Sequence, residues 1–323
     1  MKMLRSLAKR LPHPILCRLY HYRRLREESA RAAQAAERVG VSLLERLDLS
    51  SLRESDTLFV LGSAWSINDI PEERWSVIRR CDSVGMNFWL AHPFVPRFFH
   101  FEDIAYAEQP DIHEAFLTLA ARRAEEYAET VKIVTEVSEF GSRPTLFGLP
   151  DAMKRSLYVG FSMPVVARDE EELRSGIRFM RSVGAFDSER RSRWMFKYGG
   201  SVIAMMTLGL RMGYKRIILC GVDLDRQEYF YQHPERYPEC AAWEFAPRKE
   251  IHLTTRRLPW LVPAQAAVCI FKEMVLDPAG IELFVESTVS TLYPKVPLAS
   301  PSLFDELGDK QIRSLEVRSL EAN

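Results

Sequence analysis

Polar residues and glycines follow several short apolar runs of the sequence, at positions that could do chemistry together. They are Gly62-Ser63, Asn87, Glu102-Asp103, Gly221 to Asp223, and Glu286-Ser287. In an open parallel sheet, ligands bind beyond the carboxyl ends of the strands, where the loops converge. The sequence therefore predicts a pocket lined by these residues.

At two places in the sequence, a strand or loop is followed by glycine, then by a serine, and then by the predicted start of a helix. "VLGSAWSI" contains Gly62 and Ser63, and "YGGSVIAM" contains Gly200 and Ser201. Glycine lets the backbone approach a ligand, and the amino end of a helix offers N–H groups to phosphate. Neither stretch is a dinucleotide fingerprint or a P-loop. A phosphate cradle and a tight structural turn are both open at each place.

Other side chains near the predicted strand ends could recognise a nucleotide or a metal. The amide of Asn87 could read a base or a sugar hydroxyl, or it could belong to a turn. Asp223 and Asp225 in "CGVDLD" have the spacing of a pair that holds a divalent cation such as Mg²⁺, or they cap a loop.

Two later segments offer groups for acid–base chemistry and anion binding. In "EYFYQHPERYPE", the hydroxyl of Tyr231 could bond phosphate, or the aromatic rings could anchor the loop. In "KEIHLTTRR", His252 could take a proton from an acceptor hydroxyl, with His233 as its rival. Arg256 and Arg257 could hold a carboxylate or a phosphate. A purely structural histidine is the alternative.

Composition excludes several classes of protein. The chain has 323 residues, 47% of them apolar, with 44 basic and 44 acidic side chains, so nothing global indicates nucleic-acid binding. The five cysteines are scattered without zinc-site spacing, and no apolar run is long enough to span a bilayer.

The amino-terminal segment, residues 1–50, is basic and amphipathic. Eight cations precede its first acid, Glu27, with leucines interleaved. Such a segment could lie on an anionic membrane surface or pack on the domain as a solvated helix. Pro12 and Pro14 predict a break into two short pieces, and residues 25–48 predict a longer helix.

Strand and helix patterns alternate along the rest of the chain. Strands are predicted at 57–61, 83–86, within 94–103, and at 131–137, 215–223 and 281–287; helices at 111–130, 169–183, 202–212 and 263–280. Residues 141–168 and 187–200 have no regular pattern. The alternation predicts an α/β fold with a doubly wound, mainly parallel sheet.

Several of these stretches together resemble glycosyltransferase family 42, the bacterial sialyltransferases that use a CMP-activated sugar. The similar segments are "FVLGSAWSINDI", "SVGMNFW", "GGSVIAMMTLGLRMGYKRIILCGVDL" and "FKEMVLDPAGIELFVES". The resemblance implies a variant Rossmann-like fold with a small lid, at about 141–197 and 226–260 of a catalytic domain spanning 51–299. A polar tail, 300–323, would follow.

The resemblance also implies roles for individual residues. CMP would be held by Gly62, Ser63, Asn87, Gly200, Ser201, Gly221, Asp223 and Tyr231. His252 would be the base, and no metal would be required. From the chemistry of their side chains, Arg256 or Arg257 would bind a carboxylate or the acceptor. Ala64-Trp65 and Asp225 depart from the family pattern, which keeps a metal role for Asp223 and Asp225 open.

These observations lead to one expected function and two alternatives. We expect an enzyme that moves a 3-deoxy acidic sugar, of the sialic acid or Kdo type, from a CMP-sugar donor to a bacterial surface glycan, such as capsule or lipopolysaccharide. It would be cytoplasmic, with peripheral contact to the inner membrane and with homo-oligomerisation left open. The alternatives are a metal-dependent phosphotransferase or pyrophosphokinase-like enzyme, and a non-catalytic nucleotide-binding factor for glycan assembly.

Overall fold

The fold is built around one central parallel sheet. The computed structural model describes residues 13–187, 194–225, 228–240, 243 and 261–309. Eight strands of the described residues form the central sheet, and every pairing between neighbouring strands is parallel. The expected doubly wound α/β fold class is therefore confirmed.

The strands of the central sheet are short, as the apolar runs predicted. They are β1 (Ser42–Leu43), β2 (Thr57–Leu61), β3 (Asp82–Met86), β4 (Phe98–Glu102), β5 (Val131–Thr135), β6 (Leu157–Val159), β9 (Arg216–Cys220) and β10 (Glu282–Val285). Across the sheet they lie in the order β1-β6-β5-β4-β3-β2-β9-β10. Every residue of β2 and β3 is buried, as expected for strands covered on both faces.

Helices connect these strands and cover the sheet. They are α1 (His13–Val39), α2 (Glu72–Ile78), α3 (Pro110–Arg122), α4 (Thr145–Gly148), α5 (Asp151–Lys154), α6 (Glu170–Ser182), α7 (Ser201–Met212), α8 (Ala264–Phe271) and α9 (301–309). In α7, Gly209 allows close packing on β2 and β9, because a Cβ there would lie 2.8 Å from Cδ1 of Ile217. Gly213 ends α7 in the left-handed conformation.

A second, two-stranded sheet corrects the interpretation of two loops. It pairs β7 (Phe161–Pro164) with β8 (Trp194–Lys197) in parallel. Residues 141–168 and 187–200 were predicted to be irregular, and that prediction is wrong for these strands and for β6. Strands of three or four residues are too short to show a periodicity of their own, so tertiary pairing stabilises them.

The amino-terminal helix also differs from its prediction. It begins at His13 and continues to Val39, so Pro14 does not break it, and Pro12 lies outside the described residues. Proline is tolerated in the first helical turn because the N–H groups there have no intrahelical partner. The helix ends before Gly40, with φ of 76°, and not at residue 48 as predicted.

The described residues place α1 on the body of the fold. It packs against α6 and β7 and also contacts the β1 and β6 end of the sheet. Residues 141–197, expected to form part of a lid, contribute β6 to the central sheet and β7 and β8 to the second one. Among the described helices, none has both the length and the apolar character needed to cross a bilayer.

Candidate active site

The carboxyl edge of the central sheet contains a switch point between β2 and β9. The chain continues from β2 to β3 on one side, whereas β9 lies next to β10 on the other side. Open α/β sheets form their ligand crevice at such a position. The turns after these two strands begin with Gly62 and Gly221, as the sequence predicted.

Packing requires both of these glycines. A Cβ at Gly62 would lie 2.2 Å from the carbonyl oxygen of Gly221, and a Cβ at Gly221 would lie 2.4 Å from Cγ1 of Ile67. The N–H of Gly62 donates to the carbonyl of Cys220 at 2.8 Å, and the N–H of Ala64 donates to that of Gly221 at 3.0 Å. These N–H groups therefore tie β2 to β9, as in the structural alternative for this turn.

Asp223 joins the same two turns through its carboxylate. It is only 1% exposed, and it accepts hydrogen bonds from the N–H of Ser66, at 3.2 Å, and from the Ser66 hydroxyl. Asp225 is exposed. No group of three or more His, Cys, Asp or Glu residues that could hold a metal occurs among the described residues. Asp223 thus has a structural role, and a cation at Asp223 and Asp225 stays a prediction.

The loop after β9 folds back over the turn after β2. The N–H of Phe230 donates to the carbonyl of Ser63 at 3.0 Å. The ring of His233 stacks on Trp65, with centroids 5.3 Å apart. The switch point is therefore covered by the chain's own loop within the described residues.

Tyr231 is buried in this loop beside the end of β3. Its side chain packs with its ring centroid 5.2 Å from that of Tyr229 and 5.5 Å from that of Phe88, and the residue is 6% exposed. Because Phe88 directly follows Asn87, Tyr231 lies near one of the other residues expected to bind CMP. Its contact with a phosphate stays a prediction.

Hydrogen bonds connect the carboxyl ends of β3 and β4 with the amino end of α7. Oδ1 of Asn87 accepts from the N–H of Glu102 at 3.1 Å. Ser201, the first residue of α7, donates its hydroxyl to the Glu102 carboxylate. Gly200, before Ser201, has φ of 143°, which glycine adopts readily. Asn87 and Ser201 therefore both contact Glu102.

Lys197 extends these contacts to β5. Its Nζ lies 2.9 Å from Oε1 of Glu102 and 2.7 Å from Oε1 of Glu136. The side chain of Glu102 is 27% exposed and that of Glu136 is 40% exposed, so solvent and ligands can reach them. We call Asn87, Glu102, Glu136, Lys197 and Ser201 the Glu102 cluster.

Two residues of the Glu102 cluster have a strained backbone. Asn87 has φ of 52° and Glu136 has φ of 57°; they are two of the five non-glycine residues with positive φ in the described part of the chain. Each directly follows a strand of the central sheet. Asparagine tolerates this conformation better than glutamate does. Because backbone strain concentrates at functional sites, the conformation of Glu136 favours a functional role.

The charges of the Glu102 cluster shift one another's pKa. Partial burial raises the pKa of Glu136; Lys197 opposes this rise and Glu102 adds to it. Burial acts in the same direction on Glu102, but Lys197, His100 and Ser201 together hold its pKa below the usual range. Burial works against the charge of Lys197, but the two carboxylates outweigh it and raise the pKa of the ammonium. Glu136 is thus the more basic carboxylate.

An uncharged histidine lies beneath the Glu102 cluster. His100 is fully buried, and its Nε2 lies 2.9 Å from Oγ1 of Thr135, whereas its Nδ1 has no hydrogen-bond partner within the described part of the chain. Burial lowers the pKa of His100 to about 4, although Glu102 opposes the shift. The imidazole is therefore neutral at pH 7, so the buried group next to the charged side chains of the Glu102 cluster carries no charge.

The sequence prediction covered only part of this arrangement. His252, Arg256 and Arg257 lie outside the described residues, so their roles stay predictions. Glu102 was expected to line the pocket because it ends a strand. Lys197 and Glu136 were missed: Glu136 directly follows the strand "VKIVT", which is a positional signal, but nothing in the sequence pairs it with Lys197.

Comparisons with known proteins were made at the level of sequence and of structure. The sequence matches no protein-family model and no curated protein. Two crystal structures from Campylobacter jejuni align with this chain: the monofunctional alpha-2,3-sialyltransferase Cst-I, and an alpha-2,3-sialyltransferase in apo form.

The degree of this structural likeness is low. Each structure is 14% identical to this chain, with TM-scores of 0.41 and 0.40. The alignments cover 77% and 79% of this chain, and 82% and 84% of the C. jejuni chains. Such values carry no argument about function, and the fold class is established by the topology of the central sheet itself.

Proposed function

We propose that this chain is a glycosyltransferase that moves a 3-deoxy acidic sugar, of the sialic acid or Kdo type, from a CMP-sugar to a bacterial surface glycan such as lipopolysaccharide or capsule. The observation that carries the proposal is the convergence of Asn87 and Ser201 on Glu102. These are two of the positions that the motif resemblance assigns to CMP, and they lie at the edge of the sheet where α/β folds bind nucleotides.

The nucleotide would lie over the ends of β3 and β4. The hydroxyl of Ser201 and the first N–H groups of the 12-residue helix α7 supply donors for the phosphate, at the positive end of the helix dipole. The ammonium of Lys197 offsets the carboxylates beside it. The amide of Asn87 and the carboxylate of Glu102 can bond the ribose hydroxyls as donor and acceptor.

The reaction would be a displacement at the anomeric carbon of the donor sugar. The acceptor hydroxyl oxygen forms the new bond while the bond to the CMP phosphate oxygen breaks, and CMP leaves with the electron pair. Positioned donors, including the hydroxyl of Tyr231, would stabilise the charge that develops on the phosphate. His252 would take the hydroxyl proton, and Arg256 or Arg257 would pair with the donor carboxylate.

Nucleotide binding tests this proposal directly. We expect CMP to raise the thermal midpoint, because a ligand at 100 times its Kd stabilises the folded state by about 2.7 kcal/mol. ATP and GTP with Mg²⁺ should have no such effect. Ser201→Ala should reduce the CMP shift, whereas Ser76→Ala, on α2, should preserve it. A shift that is equal in Ser201→Ala and in the unmodified protein would contradict the site.

We also propose that α1 rests on an anionic membrane surface. Ile15, Leu19 and Tyr22 are 44%, 58% and 62% exposed, and their spacing places them on one face of the helix. The exposed cations Arg18 and Arg26 lie beside them. An apolar stripe with flanking arginines matches the interior and the headgroups of an anionic bilayer.

Vesicle sedimentation tests this surface. We expect the unmodified protein to sediment with phosphatidylglycerol-containing vesicles and less so with purely zwitterionic ones. The triple variant Ile15→Ser, Leu19→Ser, Tyr22→Ser should lose most of this binding. Val166→Ser is the matched control, because it replaces an apolar side chain that is 42% exposed and does not belong to α1. Equal sedimentation of the triple variant would refute the membrane contact.

A further inference from the structure

A polar cavity of about 370 Å³ lies beside the Glu102 cluster. It is bounded by α1, by the loop after β5 and by β7. Glu136 belongs both to this cavity and to the Glu102 cluster, where it pairs with Lys197. The volume is within the range of small-molecule sites. The Glu136–Lys197 pair therefore separates the proposed CMP position from a second space.

The charges of the cavity disfavour an anion. Its lining includes two arginines and four glutamates, so its formal charge is negative. The two arginines, Arg24 and Arg31, both reach Glu28, with N–O distances of 2.8 and 3.5 Å. What remains is a mixture of carboxylates and hydroxyls. Such a surface suits an uncharged ligand that has many donors and acceptors of its own.

Two buried polar atoms at this cavity lack partners among the described residues. Ser162 is 3% exposed, and neither its hydroxyl nor Nε of Arg24 has a hydrogen-bond partner in that part of the chain. Leaving such a group unsatisfied is costly, and nearly all buried polar groups in proteins are paired. A hydroxyl-rich ligand would supply the missing acceptor for Arg24 and a partner for Ser162.

We propose that this cavity binds an uncharged, hydroxyl-rich sugar unit of the acceptor glycan, with Glu136 accepting a hydrogen bond from a hydroxyl next to the one that attacks the donor. The inference rests on the proposed function, because it places the acceptor across the Glu136–Lys197 pair from CMP. The ion pair with Lys197 holds the Glu136 carboxylate at this boundary. The raised pKa of Glu136 suits an acceptor of hydrogen bonds.

The position of the cavity on α1 fits an acceptor linked to a membrane. By helix periodicity, Arg24 and Arg31 lie on the side of α1 opposite to Ile15, Leu19 and Tyr22. The cavity and the proposed membrane face are then separated by about one helix diameter, roughly 10 Å. A lipid-linked glycan would reach the cavity from that surface over a short distance.

Saturation-transfer NMR with uncharged methyl glycosides, methyl β-galactoside and methyl β-glucoside, tests the cavity on the full chain. Ser162→Leu fills the space and should weaken glycoside binding about tenfold. Ser142→Trp, at the cavity rim, provides a second test that does not alter a buried residue. The exposed Ser51→Leu is the control. Thermal stabilisation by CMP, measured in parallel, should be the same in all three variants.

The possible results separate this inference from the proposed function. Glycoside signals that Ser162→Leu and Ser142→Trp abolish, without any CMP stabilisation, would support the sugar cavity and refute the donor assignment. CMP stabilisation with no glycoside signal, or with signals unchanged in both variants, would overturn the cavity. Where transfer is measured, Glu136→Gln should lower the transfer rate, whereas Glu129→Gln, at the opposite edge of the sheet, should leave the rate unchanged.

Discussion

Two regions of the carboxyl edge of the sheet differ in how they use polar groups. At the switch point, Gly62, Gly221 and Asp223 pack against each other's turns and bond to the protein itself. In the Glu102 cluster, two strands away, charged side chains remain partly exposed and pair with one another. The polar groups of the switch point connect two strands. The side chains of the Glu102 cluster can still replace their present hydrogen-bond and ion-pair partners by a ligand.

The comparison shows that glycines at strand ends do not by themselves identify a binding site. The most conspicuous motifs of the sequence, around Gly62 and Gly221, lie where backbone groups and the Asp223 carboxylate already bond to the protein itself. Available hydrogen-bonding capacity lies where the backbone is strained and burial is incomplete, at Asn87 and Glu136. Substitutions in the two regions should therefore affect different properties: stability in the first, ligand binding in the second.

The largest effect is expected at the switch point. Gly62→Ala would place a methyl group 2.2 Å from a backbone carbonyl that cannot move without separating β2 from β9. We expect a loss of about 3 kcal/mol or more in the free energy of unfolding, measured by urea denaturation. Gly141→Ala has no atom within 4 Å of the new Cβ and should change stability by less than about 0.5 kcal/mol. Equal stability of the two variants would show that this packing is adjustable.

Asp223 tests whether the second turn is structural or holds a metal. Asp223→Ala leaves the N–H and hydroxyl of Ser66 without their acceptor and should cost about 2 kcal/mol of unfolding free energy. Asp225→Ala, at an exposed position, should change stability by less than about 0.5 kcal/mol. If instead Asp225→Ala and EDTA both abolish turnover while Asp223→Ala leaves stability unchanged, the metal alternative replaces the structural one.

The buried, uncharged His100 next to the Glu102 cluster predicts that stability depends on pH. His100 has a pKa of about 4 in the folded protein, lowered by burial from about 6.5. As pH falls from 6.5 to 4, the unfolded chain takes up a proton that the folded protein does not, so stability decreases. His100→Gln should make this decrease smaller in urea titrations at pH 7, 6 and 5. His92, whose pKa burial lowers to about 3, contributes a parallel decrease that remains in the variant. An unchanged slope would show that His100 is charged or solvated.

The smallest effect is a gain in stability at Glu136. Glu136→Gly relieves the left-handed backbone and should raise the free energy of unfolding by about 0.5 kcal/mol, because Lys197 still pairs with Glu102 when Glu136 is removed. Glu139→Gly is the matched control, because Glu139 has an ordinary φ of −61° and glycine should destabilise it slightly. A loss of stability in Glu136→Gly equal to that in Glu139→Gly would mean that this backbone conformation stores no strain.

The sequence predicted six of the eight strands of the central sheet, because each is an apolar run bounded by turn residues. Thr57–Leu61 matches to the residue, and Arg216–Cys220 lies within the predicted run. The short strands β1 and β6 and the β7–β8 pair were missed. Gly160 and Pro164 interrupt the apolar pattern around β6 and β7, β8 follows a charged stretch, and β1 has only two residues. At Pro14 the error was the opposite, because a break was predicted where none occurs. Proline breaks a helix in its interior but is tolerated in the first turn, where Pro14 lies.

The candidate site was predictable in location but not in composition. Topology placed Asn87 and Glu102 at one edge, and the glycine–hydroxyl–helix pattern made Ser201 a candidate. The structure joins the three by hydrogen bonds. Lys197 and Glu136 are 61 residues apart and carry no joint signal in the sequence. Their contact depends on the position of the β8–α7 connection relative to the carboxyl end of β5.

The sequence by itself determined the alternation of strands and helices and the polar character of the strand ends, because apolar periodicity and turn residues are local properties of the chain. The tertiary structure alone decided which strand ends are neighbours. It therefore decided which glycines are required by packing and which carboxylates pair with the same lysine. Charge pairing and burial depend on distances in space, and residues far apart in the chain acquire those distances only when the sheet is assembled.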